Sequence, residues 1–495
     1  MPYVTLEIPA GVYRNGTDLQ AYNRWHDSNL VRWTDNAVRP VGGWLQKSET
    51  ATAAICRSLY AWSDNSAVRY IAAGTEDKLY AYDQDGVQYD ITPAGLAAGR
   101  ESAVTASGYG TSAYGAGSYG VSRADDTVIL PATTWSLDNW GEYLVACSYD
   151  DGDIYEWQLD TSGPTAAAVI ANAPINNRGM FVTEERFLMA LGAGGNPRKL
   201  QWSDREDNTT WTPAATNEAG DIELQTDGLI QCGVRTKEQS LIITTTDAHT
   251  ADYIGPPFVY SIKRVGSGCG IISQKAVATF ANGVVWMGRQ NFFVYAGGEV
   301  NKLPSEVHDH VFSNINRDYG SHVFAVNNSR FSEVWFFYPS EESIDNDSYV
   351  TWNYVTNVWS VGTLVRTAGV DQGAFTNPIW CDPTDKHLYE HEVGFTHIGY
   401  TPFIESGPIN INDGNQVMRV RNLIPDEANQ GEVTATFKTR FYSNGTEYSY
   451  GPYSPANPTS VRFSGRQIRM RLDGNGNFDW RVGRMRIDVA PGGGR

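Results

Sequence analysis

Residues 143–158 have the sequence YLVACSYDDGDIYEWQ, an apolar strand, a polar turn and a second strand that ends in a large aromatic residue. Clusters of Asp, Asn and Gly are ordinary hairpin turns, and the β-branched and aromatic residues on either side favour strands. The pattern recurs along the chain. Further copies are YIAAGTEDKLYAYD (70–83), FLMALGAGGNPRKLQW (187–202), LIITTTDAHTADYI (241–254), VVWMGRQNFFVYAGG (284–298), VWFFYPSEESIDNDSYVTW (334–352) and IWCDPTDKHLYEH (379–391).

Each copy ends on a large aromatic residue, and these residues are regularly spaced. They are Tyr82, Trp157, Trp202, Tyr253, Tyr295, Trp352 and Tyr389. From Trp157 to Tyr389 the mean interval is about 46 residues, and the longer first interval contains an insertion at about 94–130. A period of about 40–50 residues with several short strands per unit is typical of β-propeller blades. We therefore predict an all-β chain with a β-propeller of about seven blades; a β-sandwich of unrelated hairpins is the alternative.

Two further regions flank the propeller, which is predicted to span residues 46–395. Residues 1–45 contain RWHDSNLVRWTDNAVRPVGGW (24–44), rich in Trp and Arg, and are interpreted as an N-terminal arm that packs on the propeller or completes it. Residues 396–495 show period-two alternation, as in QVMRVRNLI (416–424). This pattern predicts an additional C-terminal antiparallel β-sandwich-like domain.

The charge of the chain is divided unevenly. Residues 396–495 carry 12 Lys or Arg and 9 Asp or Glu, a net +3, which leaves −21 on residues 1–395 out of a total of −18. Such an acidic body does not indicate a nucleic-acid-binding surface, since it repels phosphates. No apolar run is long enough to span a bilayer, and the start MPYVTLEIPAG lacks the pattern of a secretory signal. The five cysteines are scattered and odd in number, which favours buried thiols over a disulfide framework and a chain that is made in a reducing cytosol.

Signals for chemistry are weak, and we predict no enzyme, no metal and no cofactor. His387 and His391 have i,i+4 spacing, but KHLYEH is typical of a strand rather than a ligand-bearing helix. The acidic stretches DDGD (150–153) and DNDS (345–348) lack the spacing of a calcium loop. DREDNTTW (204–211) is distantly similar to the sialidase Asp-box, which is itself a structural turn and not a catalytic motif.

Several segments resemble the tail nozzle proteins of tailed phages, also called tail tubular protein B or packaged-DNA stabilisation protein. The similar segments lie in the same order over nearly the whole chain. They are RWHDSNLVRW and RPVGGW in the arm, GYGTSAYGAGSYG (108–120), TTWSLDNWGEYLVAC (133–147), LQWSDREDNTTWTP (200–213), VGSGCGIISQKAVATFANGVVWMGRQNFFVYAGGEV (265–300) and RFSGRQIRMRLDGNGNFDWRVGRMRIDVAPGGGR (462–495).

The resemblance implies a structural virion protein, made in the host bacterial cytoplasm and located in the virion tail. It implies a homohexameric nozzle that conducts the genome at ejection and helps retain packaged DNA, with no sequence-specific binding of the double-stranded DNA that passes through. The implied partners are further copies of the chain, the phage adaptor or head–tail connector proteins, and tail fibres or spikes. Two alternatives stay open: a receptor- or glycan-binding tail propeller, and a glycan depolymerase.

Assembly residues are expected in two places. The Gly/Tyr-rich insertion carries Tyr109, Tyr114 and Tyr119 and is either a docking loop or a passive linker, because glycine this dense builds no core. The basic residues of the C-terminal domain either face acidic surfaces of neighbouring subunits or pair with local acids. They are Arg462, Arg466, Arg469, Arg471, Arg481, Arg484 and Arg486.

Overall fold

The computed structural model describes residues 3–108, 123–161, 163, 165–237, 239–410, 416–429, 431–443 and 445–493 of the 495-residue chain. Apart from strands, these residues form the α-helix His308–Asn314 and short 3-10 helices at Asp18–Ala21, Ala193–Gly195 and Gly320–His322. Among them, no helix has the length and apolar character needed to cross a bilayer. Seven four-stranded antiparallel sheets follow one another along the chain as blades 1–7. The chain is thus an all-β protein built on a seven-bladed β-propeller, as the repeat predicted.

The strands of each blade are given from the inner to the outer one. Blade 1 consists of Ser58–Ser63, Arg69–Gly74, Leu79–Asp83 and Gln88–Asp90, and blade 2 of Trp135–Trp140, Tyr143–Ser148, Ile154–Trp157 and Ala168–Val169. Blade 3 consists of Gly179–Val182, Leu188–Leu191, Lys199–Trp202 and Gly220–Glu223, and blade 4 of Ile230–Arg235, Ser240–Thr244, Asp247–Gly255 and Val259–Ser267. Blade 5 consists of Val277–Phe280, Gly283–Met287, Phe292–Ala296 and Glu299–Leu303, and blade 6 of Phe324–Asn328, Glu333–Tyr338, Ser348–Asn353 and Val358–Thr363. Blade 7 consists of Ala368–Val370, Ile379–Cys381, Leu388–His391 and Trp44–Gln46.

Burial of both faces explains the apolar runs in the middle of each blade. Every residue of Leu188–Leu191 and of Glu333–Tyr338 is buried, because neighbouring blades cover these strands from both sides. The seven aromatic residues that defined the period all lie on the third strand of a blade. The repeat unit in the sequence is therefore the second strand, its turn and the third strand.

The packing between blades leaves little room for larger side chains. A Cβ atom on Gly74 of blade 1 would lie 2.4 Å from Cδ1 of Trp135 in blade 2. The indole Nε1–H of Trp135 in turn donates a hydrogen bond to the carbonyl oxygen of Thr75 at 2.7 Å. A glycine at this position thus lets a buried tryptophan join two blades.

The ring closes through a strand from the beginning of the sequence. Trp44–Gln46 pairs antiparallel with Leu388–His391, placing Trp44 opposite His391 and Gln46 opposite Tyr389. Blade 7 therefore combines three strands from one part of the chain with one from another. The boundary predicted at residue 45 passes through this outer strand, since a single strand separated from its partners leaves no periodic signal.

A buried ion cluster lies beside this closure. Arg32, on the hairpin of Val31–Thr34 and Ala37–Pro40, donates hydrogen bonds to Glu333 of blade 6 at 2.9 Å and to Glu392, which follows blade 7, at 2.9 Å. The three side chains are 5%, 7% and 3% exposed. Burial raises the pKa of Glu333. Burial also acts to raise the pKa of Glu392, but the charge of Arg32 and the hydrogen bonds that this carboxylate accepts together hold its pKa below the usual value. Arg32 thus holds two blades together across the closure.

The C-terminal domain is a sandwich of two antiparallel sheets. The first consists of Tyr3–Thr5, Arg486–Pro491, Met418–Ile424 and Thr459–Gly465. The second consists of Trp25–Asn29, Phe403–Ser406, Gln467–Gly474, Val433–Arg440 and Tyr448–Tyr453, with Ile409–Asn410 also paired to Gln467–Gly474. Phe437 and Phe463 meet between the sheets, with ring centroids 4.9 Å apart. Residues 3–46 thus supply strands to both sandwich sheets and to blade 7.

Candidate assembly surface

The outer face of the first sandwich sheet carries unpaired positive charge. Alternation along Met418–Ile424 buries Met418 and Val420 and exposes Arg419 and Arg421, and alternation along Thr459–Gly465 exposes Arg462. A β-bulge between Val420 and Asn422 shifts the register, so the strand is locally irregular beside Arg421. We call the exposed residues Arg419, Arg421, Arg462 and Arg486 the arginine face.

Neighbouring acids do not neutralise this face. Among the residues that the structure describes, none pairs through a hydrogen bond or ion pair with the side chain of a member of the arginine face. Asp488 lies opposite Asn422 in the same sheet and forms none of these pairs. Arg419, Arg421 and Arg462 also border an open groove of about 610 Å³, together with Tyr450 and polar side chains. The groove offers several guanidinium donors to an acidic partner surface.

The other arginines predicted as assembly residues have partners within the chain. Arg481 lies 3.4 Å from Asp479, and Arg484 lies 3.0 Å from Glu7. The guanidinium of Arg466 lies over the ring of Tyr442, 5.3 Å from its centroid. Arg481 and Arg484 are thus paired with acids of the same subunit, whereas Arg466 contacts an aromatic ring.

Arg469 and Arg471 belong to the second sheet, and Arg469 fastens the short helix that begins at Asp18 to the sandwich. Arg469 contacts Asp18 and lies 3.7 Å from Glu405. Arg471 pairs with Asp473 at 2.8 Å. Burial acts to raise the pKa of Asp18, but its hydrogen bond from Arg440 and the charge of Arg469 hold this pKa below its usual value. Asp18 is thus a charged clamp inside the subunit.

Arg419 and Arg421 are not among the assembly residues predicted from the sequence. The signal for them was present, because the alternation V-M-R-V-R at 417–421 places two arginines on one side of a strand. Isolated alternation, however, does not show whether an acid from another strand lies opposite, and that decides whether an arginine is free.

Tyr109, Tyr114 and Tyr119 lie outside the described residues. The strands on either side, Val104–Gly108 and Arg123–Leu130, pair antiparallel between blades 1 and 2, with Val104 opposite Leu130. Val104, Ile129 and Leu130 are exposed large apolar residues. The described base of the insertion is therefore a two-stranded ribbon with apolar groups in solvent.

The histidines weighed as metal ligands have separate roles. His391 accepts a hydrogen bond from Nε of Arg366 at 3.1 Å and packs on Trp380, whereas Nδ1 of His387 lies 3.0 Å from the hydroxyl of Ser48. Within the described ranges, no group of three or more His, Cys, Asp or Glu is placed to hold a metal ion.

The acidic stretches form turns and local contacts. Asp150 contacts Arg100, and Asp347 accepts a hydrogen bond from the hydroxyl of Ser340 at 2.6 Å. In 204–211, the indole of Trp211 donates to the carbonyl of Asn208 at 2.7 Å, which folds the segment on itself as a turn.

No family model and no curated protein matches the chain. Among solved structures, the β-propeller domain of Cps50 (Swd1) from Myceliophteria thermophila is 11% identical and covers 72% of this chain and 99% of its own, with a TM-score of 0.39. The WD40 domain of Neurospora crassa Pan2 is 9% identical over 72% of this chain and 96% of that one, with a TM-score of 0.39. Virginiamycin B lyase from Staphylococcus aureus is 6% identical over 70% of this chain and 97% of that one, with a TM-score of 0.40. Likeness at this level concerns the fold alone.

Proposed function

We propose that this chain is a structural virion protein of a tailed phage, the subunit of a hexameric tail nozzle that conducts the genome at ejection and helps retain packaged DNA. The observation that carries the proposal is the resemblance of sequence segments in the same order along nearly the whole chain. The arginine face adds support from the geometry, because it is an unpaired cationic surface on a chain of net charge −18.

A closed ring requires two different surfaces that fit each other, since each copy meets the next head to tail. The arginine face is one such surface. The propeller-bearing residues 1–395, with a net charge of −21, supply acidic groups for the other. Charge complementarity of this kind speeds encounter and selects the partner.

The acidic body also suits a conduit for DNA. A basic lumen binds phosphates tightly and releases counter-ions, so DNA adheres to it in a salt-dependent way. An acidic wall repels the phosphates and leaves the duplex free to slide without sequence-specific contacts. Residues of the ring wall that face DNA are accordingly expected among the Asp and Glu residues of the propeller.

Electron microscopy of phage particles that carry the chain tests the proposal. Antibody against the chain is expected to label the distal tail, and averaged tail images are expected to show a six-fold ring there. Label away from the tail, or single copies in assembled particles, would overturn the proposal.

A second test addresses the arginine face itself. Particles are assembled in cells that supply either R419Q/R421Q/R462Q or the control R481Q/R484Q, in which both arginines are already paired within the subunit. We expect the triple variant to be excluded from particles and the control to be incorporated. Equal incorporation of both would remove the arginine face from the assembly.

A further inference from the structure

The central cavity of the propeller carries more positive than negative side chains. It has a volume of about 430 Å³ and is lined by residues from the first strand of all seven blades. The charged residues of its described lining are Arg57, Arg235, Lys275 and Asp138. On a chain of net charge −18, this is a local reversal of sign.

The one carboxylate of this described lining is fully engaged by its surroundings. Asp138 accepts hydrogen bonds from Arg235 at 2.8 Å, from the hydroxyl of Tyr60 at 3.0 Å and from the backbone N–H of Val182 at 2.9 Å. Burial, with the charge of Asp138 beside it, raises the pKa of Tyr60, so this phenol stays neutral. Asp138 is therefore paired directly with Arg235, and its charge acts on Lys275 only from a distance.

Arg57 is balanced from outside the cavity, but incompletely. One of its terminal nitrogens lies 2.8 Å from Asp345, and its Nε donates to the carbonyl oxygen of Glu101 at 2.8 Å. The other terminal nitrogen, Nη1, is buried and has no partner among the described residues. A buried donor without a partner is costly, and it is a ready contact for an acceptor.

Lys275 has no carboxylate at ion-pair distance among the residues that the structure describes, although the charge of Asp138 acts on its pKa from further away. It is partly exposed to the cavity, and none of its described neighbours forms a hydrogen bond or ion pair with its ammonium. Burial lowers the pKa of Lys275 to about 8, so the group is still mostly charged at neutral pH. The nearby thiol of Cys232 is no counter-ion, because burial raises its pKa to about 12. A buried ammonium without a carboxylate partner is stabilised by an anion bound beside it.

We infer that the central cavity binds a small oxyanion of the phosphate class on the ammonium of Lys275, with Arg57 as the second donor. The volume admits the ion together with bridging waters, which extend the reach of both donors. The inference is separate from the proposed nozzle, because all the residues belong to one subunit and a monomer suffices.

Calorimetric titration with sodium sulfate at constant ionic strength tests the site, since sulfate keeps its charge between pH 7 and pH 9. The parent protein is compared with K275M and with the control K263M, in which the lost lysine is exposed on blade 4. Loss of a charge-assisted hydrogen bond predicts an affinity about tenfold or more weaker in K275M. K263M should bind as the parent does. Equal binding by K275M and the parent would refute the site.

Two measurements on the unaltered protein do not depend on how the variant folds. Sulfate affinity should fall as the pH rises through about 8, because Lys275 loses its charge there. Crystals soaked in sodium selenate should show an anomalous difference peak within hydrogen-bond distance of Nζ of Lys275. A pH-independent affinity or an empty cavity in selenate-soaked crystals would contradict the inference.

Discussion

Replacing Arg32 by methionine is expected to destabilise the propeller where blades 6 and 7 meet. The change leaves Glu333 and Glu392, 7% and 3% exposed, without the guanidinium that joins them. Removing one partner of a buried ion pair costs about 3–5 kcal/mol. The cost for each buried carboxylate is limited, because the group can take up a proton instead of remaining charged. At pH 7 this protonation costs about 1.4 kcal/mol for each pH unit above a usual pKa near 4.5, or about 3.4 kcal/mol. We therefore expect R32M to lose about 3–5 kcal/mol of its free energy of unfolding at pH 7.

The pH dependence of this loss separates charge from packing. Without Arg32, both carboxyls have pKa values in the folded state above those in the unfolded state, so the folded state binds more protons. Stability of R32M then rises, relative to the parent, as the pH falls from 7 to 5, by up to about 1.4 kcal/mol per pH unit for each carboxyl. A loss caused by a cavity would not change over this range.

Urea unfolding followed by tryptophan fluorescence at pH 7 and pH 5 measures both quantities. The matched control is R198M, because Arg198 pairs with Glu223 at 2.6 Å on the surface, where such pairs contribute about 0–1 kcal/mol. The reasoning fails if R32M loses no more than R198M, or if its deficit grows on acidification.

Three further predictions follow from separate features. Gly74→Val places methyl groups against Trp135 and should lower the unfolding free energy by about 1–3 kcal/mol in the same urea assay. The control is Gly373→Ala, where the new methyl group meets open space and should change the unfolding free energy by less than about 0.5 kcal/mol. Burial lowers the pKa of His310 to about 4 in the folded protein, so the unfolded chain binds more protons as the pH drops from about 6.5 towards 4 and stability should fall. The fall should be smaller in His310→Gln. Identical pH profiles for the two proteins would contradict this prediction. Deletion of residues 106–121 removes part of the strand Val104–Gly108, but it should leave the propeller folded in the same urea assay while impairing ring assembly. Incorporation of the deleted chain into infectious particles at the parent level would show the insertion to be dispensable.

The sequence was sufficient for the blades because their signal is local. The aromatic residues from Tyr82 to Tyr389 lie on equivalent strands, and each is separated from its hairpin partner by a short turn. Such contacts are encoded within about 15 residues, so strand–turn–strand patterns reveal them. The number of blades followed from counting these hairpins.

Contacts between distant residues could not be predicted in the same way. Nothing near Trp44 indicates that it pairs with His391. Lys275 lies in an ordinary stretch, ISQKAV at 272–277, and its environment depends on the inner strands of several blades. Arg421 is free among the described residues, whereas Arg484 pairs with Glu7, which lies at the other end of the chain. These differences are decided by tertiary structure.

Closure of blade 7 by Trp44–Gln46 has a consequence for biosynthesis. The ribosome makes this strand early and its partner Leu388–His391 much later, and Tyr3–Thr5 likewise waits for Arg486–Pro491. Until then, early strands leave unpaired edges that are prone to association with other nascent chains. A premature stop codon before residue 391 would yield an open arc with two such edges.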